Sequence, residues 1–173
     1  MNIAQLTLVL SLCVAAVAWG AADSGKLNIE GNELARQGKF KEAITKYDQA
    51  IRVDPPYQEP WYNRGKAKLT LGDFKGAIGD FDKALELYRD NEGKSDIYNN
   101  RGIAKKKNHD LNGAITDYNA ALSKNPKNYR VYLNRGIAYY ELGQEKKAIA
   151  DFKKAESHGI QEASSALNQL GIK

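Results

Sequence analysis

The sequence predicts an all-α protein made of stacked antiparallel helix pairs. A block of about thirty-four residues recurs four times in register. Inside each block, apolar and small residues return at the three- and four-residue spacing of a helix face. Composition agrees: of 173 residues, 42% are hydrophobic and 27% charged, which describes a globular chain, not a disordered one. One Cys and two His exclude a disulfide framework, and with them a zinc site or a nucleophile–His enzyme is not expected.

Residues 1–22 stand apart, because every charged side chain lies beyond them. The run Leu6 to Trp19 is fourteen residues long, short of the roughly twenty that span a bilayer, and small residues follow at Gly20, Ala21 and Ala22. A cleaved signal peptide is the expectation, with cleavage after Ala22 or after Gly20, and hence an exported chain in the periplasm or secretory pathway. The n-region carries only the amino terminus as positive charge, so an uncleaved anchor and a buried helix stay open as alternatives. Cleavage would remove Cys13, the single thiol.

The repeat is carried by Asn63-Arg64-Gly65, Asn100-Arg101-Gly102 and Asn134-Arg135-Gly136. Twelve residues after each glycine stands Ala-Ile (Ala77-Ile78, Ala114-Ile115, Ala148-Ile149). An aromatic follows (Phe81, Tyr118, Phe152), then another alanine (Ala84, Ala121, Ala155). An earlier copy has Gly31, Ala43-Ile44, Tyr47 and Ala50. The blocks therefore cover 24–57, 58–94, 95–128 and 129–160, and three extra residues in Tyr88–Lys94 are expected to loop out. Each block reads as two helices. In the second, Trp61, Gly65 and Leu69 stripe the first helix, Gly72-Asp73 breaks it, and Phe74, Ala77, Ile78, Phe81, Ala84 and Leu85 stripe the next. Asp54-Pro55 and Asn125-Pro126 end second helices. After Gly159, Ala163, Ala166, Leu167 and Leu170 mark a capping helix over 161–170, which a stack needs to cover its last apolar face.

Charges test this register. Counting from block starts at Ser24, Gln58, Ser95 and Tyr129, position 7 holds Glu30, Arg64, Arg101 and Arg135, and position 23 holds Lys46, Asp80, Asp117 and Asp151. The first block reverses both signs at once, which places the two positions against each other.

The pattern resembles the tetratricopeptide repeat over residues 24 to about 156, with local departures such as His109 where a turn glycine usually stands. The resemblance implies a right-handed α-solenoid whose first helices line a concave groove that holds a peptide or protein segment, with no chemistry and no cofactor. Groove positions carried over by that resemblance give Asn28, Asn32 and Arg36 from the first block, then Tyr62, Asn63 and Lys66. The third block supplies Asn99, Asn100 and Lys106, and the fourth Arg130, Asn134 and Tyr140. Amides can pair with an extended backbone, and tyrosines offer apolar area with a polar tip. The carboxylate clamp of chaperone-binding members is not expected, since only two of its five positions match in either frame. Lys105-Lys106-Lys107 points three ways around a helix and forms no strip, so nucleic acid is not an expected partner. A structural subunit or assembly factor docking through outer helices is the alternative function.

Overall fold

A computed structural model describes residues 23–172, leaving aside the side chain of Glu92. The signal-peptide reading of residues 1–22 lies outside the described residues. Helix α1 runs through residues 23–36. It is followed by α2 (Phe40–Val53), α3 (Gln58–Thr70), α4 (Phe74–Leu87), α5 (Asn91–Lys107), α6 (Leu111–Lys124), α7 (Tyr129–Glu141), α8 (Glu145–Glu156) and α9 (Gln161–Gln169). Helices α1, α3, α5 and α7 each pair with the even helix that follows, α9 packs on α8, and the pairs stack on their neighbours, so the chain is an α-solenoid.

Alanines and one aromatic per pair build the core. Ala43, Tyr47 and Ala50 are buried on α2, and Ala77, Phe81 and Ala84 on α4. Ala114, Tyr118 and Ala121 repeat the set on α6, as Ala148, Phe152 and Ala155 do on α8. The recurrent glycine of each odd helix explains how the aromatic fits. A Cβ on Gly31, Gly65, Gly102 or Gly136 would lie 2.5, 2.8, 2.6 or 2.6 Å from the ring of Tyr47, Phe81, Tyr118 or Phe152. The missing side chain lets two helices approach closely enough for the ring to seat between them, which buries about 1.5–3 kcal/mol of apolar surface per ring.

The turns within pairs follow one design. Gly72 closes α3 in the left-handed region at φ 84°, its N–H donates to Leu69 O (3.2 Å) and the Asp73 N–H to Lys68 O (3.0 Å). Asp73 then caps α4 by accepting from the Gly76 N–H. Between α5 and α6 the left-handed residue is His109, at φ 64°.

One expectation needs correcting. Only residues 88–90 separate α4 from α5, a shorter link than 54–57 or 125–128, so the extra residues of the second block do not loop out; they lengthen α5, to 17 residues against 13 for α3 and α7. The cause is Asp90, whose carboxylate accepts from the Gly93 N–H and starts the helix a turn early.

Candidate functional site

The charge pairs meet as their signs require. Arg64 grips Asp80 with two parallel bonds (Nε to Oδ2 2.9 Å, Nη2 to Oδ1 2.6 Å). Arg101 holds Asp117 the same way (2.8 and 2.6 Å), as Arg135 holds Asp151 (2.8 and 2.8 Å). The first pair keeps the contact with reversed signs, Lys46 Nζ to Glu30 at 2.7 Å. Each arginine also reaches back across the junction, Arg64 to Asp48, Arg101 to Asp82 and Arg135 to Asn119. Burial works against the Arg64 charge, but the bonds and charges of Asp80 and Asp48 outweigh it and hold its pKa above the ordinary value. At the exposed Glu30 carboxyl, the hydrogen bond and charge of Lys46 lower the pKa.

The face formed by the odd helices carries the groove positions, and they divide into two groups. In the first, side chains bind one another. Asn63 Nδ2 donates to Asn28 Oδ1 (3.0 Å), Asn100 Nδ2 to the Tyr62 hydroxyl (3.0 Å) and Asn134 Nδ2 to Asn99 Oδ1 (2.9 Å). Asn28 also donates to the Tyr57 hydroxyl (3.3 Å) and is buried. These six residues form a ladder between successive odd helices, position 5 of one to position 6 of the next. Burial, aided by the Asp96 charge, pushes the Tyr62 phenol up to about 12.

The second group keeps free capacity. Asn32 accepts from the Tyr47 hydroxyl through Oδ1 (2.8 Å), and its amide N–H groups have no partner among the described residues. Lys66 is exposed, its ammonium 5.2 Å from the Tyr62 ring centre, and among the described residues exposed Arg36 pairs only with Glu33 on its own helix. These three line a cavity of ≈ 420 Å³ between α1 and α3, floored by Ala35, Phe40 and Ala67; no carboxylate lines it. At the far end Tyr140 is 53% exposed and lines a second cavity of ≈ 320 Å³ with Ile137, Phe152, Ala166 and Leu170. Between them Lys106 binds Glu141 (3.0 Å), and Arg130 reaches Glu162 (3.4 Å).

Ala35, Phe40 and Ala67 were not among the residues anticipated for this face. Phe40 could be found by noting that the residue opening a second helix sits beside the last turn of the first. Among the described residues no cluster of His, Cys, Asp and Glu could hold a metal, and no helix is long and apolar enough to cross a membrane. His109 and His158 are both exposed.

Stacked helical hairpins tied rung by rung, with an open face of free amides, cations and tyrosine, define a helical-repeat protein of the solenoid class. The chain belongs to the tetratricopeptide repeat family. Profiles described as "TPR repeat" match residues 31–72 and 107–143, and those described as "Tetratricopeptide repeat" match residues 59–91 and 130–157. Sperm-associated antigen 1 of Homo sapiens is 30% identical over 87% of this chain, which spans 13% of that protein's length. Among solved structures, the first TPR of Spaghetti (RPAP3) bound to the HSP90 peptide SRMEEVD superposes with a TM-score of 0.67 at 28% identity, covering 71% of this chain and 95% of that one. MamA superposes with a TM-score of 0.73 at 22% identity over 95% of this chain and 98% of its own, a likeness of fold.

Proposed function

We propose that the protein is a non-enzymatic binding module that holds a peptide or protein segment along its odd-helix face, with Asn32, Arg36, Lys66 and Tyr140 making the contacts. The observation that carries this is the division of that face. The ladder side chains, Asn63 at the edge of the first cavity included, are already paired with each other, whereas these four residues border the two cavities with donors or apolar area unspent. The RPAP3 domain, similar in fold and 28% identical, was solved with a peptide bound, which supports the same use of the scaffold here. We take the chain to act by holding, not converting, its partner.

The test is a capture assay with the variant Arg36→Glu/Lys66→Glu/Tyr140→Ala beside a control, Lys41→Glu/Lys75→Glu, whose changes lie on even helices. The groove variant should lose its partners with circular dichroism unchanged, while the control keeps them. Equal capture by both would remove the groove reading. We propose also that residues 1–22 are a cleaved export signal; the recovered protein should then begin at Asp23 or Ala21, and an exported chain beginning at Met1 would refute the cleavage.

A further inference from the structure

Three junctions between helix pairs are closed by the same two ties. Position 5 of one pair meets position 6 of the next (Asn28–Asn63, Tyr62–Asn100, Asn99–Asn134). Position 25 of one pair meets the arginine at position 7 of the next (Asp48–Arg64, Asp82–Arg101, Asn119–Arg135). At the fourth junction α9 stands where the first helix of another pair would stand. Its register follows from three features: Gln161 opens α9 as Tyr129 opens α7, Ala163 is buried at position 3 as Val131 is, and Ala166, Gln169 and Leu170 line the second cavity as Asn63, Lys66 and Ala67 line the first.

In that register position 6 of α9 is Ala166 and position 7 is Leu167, so neither tie is made: Leu133 at position 5 packs with apolar side chains of α9. Position 25 of the fourth pair is Lys153, whose side chain is exposed and makes no hydrogen bond or ion pair with the described residues. What holds α9 is the burial of Ala163 and Leu167 beside Leu133, with Ile160, Ala166 and Leu170 packed against them.

The groups that would complete these ties sit at the opposite end of the molecule. Position 6 of the first pair is Ile29, 66% exposed where the other pairs have a bonded asparagine. Position 7 is Glu30, held by Lys46 on one side with its side chain 38% exposed. Ile29 suits Leu133, and Glu30 suits Lys153. Both charges are inverted relative to the inner junctions, so the pairing survives the inversion. We propose that the protein associates head to tail with itself, the α1–α2 pair of one copy displacing α9 and continuing the solenoid from α7–α8 of the next. Glu30 would then lie between Lys46 of its own copy and the neighbour's ammonium, as Arg64 lies between Asp80 and Asp48. Such a contact uses two different surfaces and does not close on itself, so it yields short linear chains, with α9 as the stop that limits them. It uses the ends of the stack: displacing α9 takes Ala166 and Leu170 away from the Tyr140 cavity and leaves the cavity of Asn32, Arg36 and Lys66 intact.

Sedimentation velocity over a concentration series reads this directly. The purified protein should show a monomer–oligomer equilibrium, and Leu167→Ala, which loosens α9, should lower its midpoint concentration roughly tenfold. Glu30→Arg/Lys46→Asp keeps the charge pair inside the first helix pair but opposes Lys153; it should weaken association roughly tenfold, and adding Lys153→Asp should restore it. That rescue separates the contact from any loss of fold. A protein and Leu167→Ala variant both monomeric throughout would overturn the proposal, as would association indifferent to charge at Lys153. A dimer sensitive to Ile29→Asn alone would point to two first pairs meeting face to face, and would also overturn it.

Discussion

At Tyr118 the core holds a hydroxyl with no hydrogen-bond partner among the described residues. Its counterpart Tyr47 donates to Asn32, but the residue standing at that place in the third pair is Ile103. The second and fourth pairs carry Phe81 and Phe152 in the same seat, so the ring is needed and the oxygen is not. Leaving a buried donor unpaired costs about 1–3 kcal/mol. Tyr118→Phe should therefore raise the urea unfolding free energy by about 1 kcal/mol. An unchanged or lower midpoint would show that the hydroxyl has a partner in solution. Two further phenols, those of buried Tyr47 and half-buried Tyr62, contribute to an alkaline limit. Burial raises the phenol of Tyr47, and that of Tyr62, from 10.0 to about 12, because the folded core disfavours the phenolate. Unfolding frees the phenol to ionise at its ordinary pKa, so this stabilisation is complete below pH 10.0 and is lost as the pH climbs towards about 12. Tyr47→Phe should move the alkaline unfolding midpoint, followed by circular dichroism, to higher pH; a midpoint that does not move would mean Tyr47 ionises without unfolding the chain.

At the level of single helices, the α5–α6 turn departs from its siblings. Gly38, Gly72 and Gly143 adopt the left-handed conformation at φ 77°, 84° and 71°, and His109 does so at 64° with a side chain that is exposed. Left-handed backbone costs a residue with a Cβ about 1 kcal/mol relative to glycine. His109→Gly should stabilise the protein by about that much, offset in part by the greater freedom glycine gives the unfolded chain. A thermal midpoint that falls would mean the imidazole makes a compensating contact. This turn also shows what the sequence could reveal. The departure at His109 was legible because three glycines set the pattern. The early start of α5 was not read, although its signal was present: Asp followed three residues later by Gly caps α4, α5 and α6 alike (Asp73–Gly76, Asp90–Gly93, Asp110–Gly113). The Arg–Asp contacts were legible for a stronger reason, because the joint sign reversal at Glu30 and Lys46 can be seen without coordinates. The partition of the groove was not. Whether Asn63 and Asn134 face a ligand or each other's neighbours depends on the distance between successive odd helices, which no single block encodes.

Across the whole molecule, the junctions are not of equal strength, and the difference predicts the order in which the stack opens. In a solenoid each pair contacts only its neighbours, so local stability follows the contacts at each junction. The three inner junctions combine alanine–aromatic cores with an amide tie and an arginine bridge. The last one has Ala163 and Leu167 of α9 buried, Ala166 and Leu170 partly so, and among the described residues a single exposed pair, Arg130 to Glu162 at 3.4 Å with side chains 61% and 58% exposed, a contact worth about 0–1 kcal/mol. Native-state hydrogen exchange should therefore find the α9 amides opening at a free energy well below those of α5 and α6, in a step that exposes Leu133 and leaves the rest of the stack folded. Leu167→Ala should lower α9 protection further while shifting the thermal midpoint little, because the mutation acts on a segment already open before the cooperative transition. If α9 instead exchanged only with global unfolding, the cap would be an integral part of the stack, and the end of the solenoid would be closed to any other occupant.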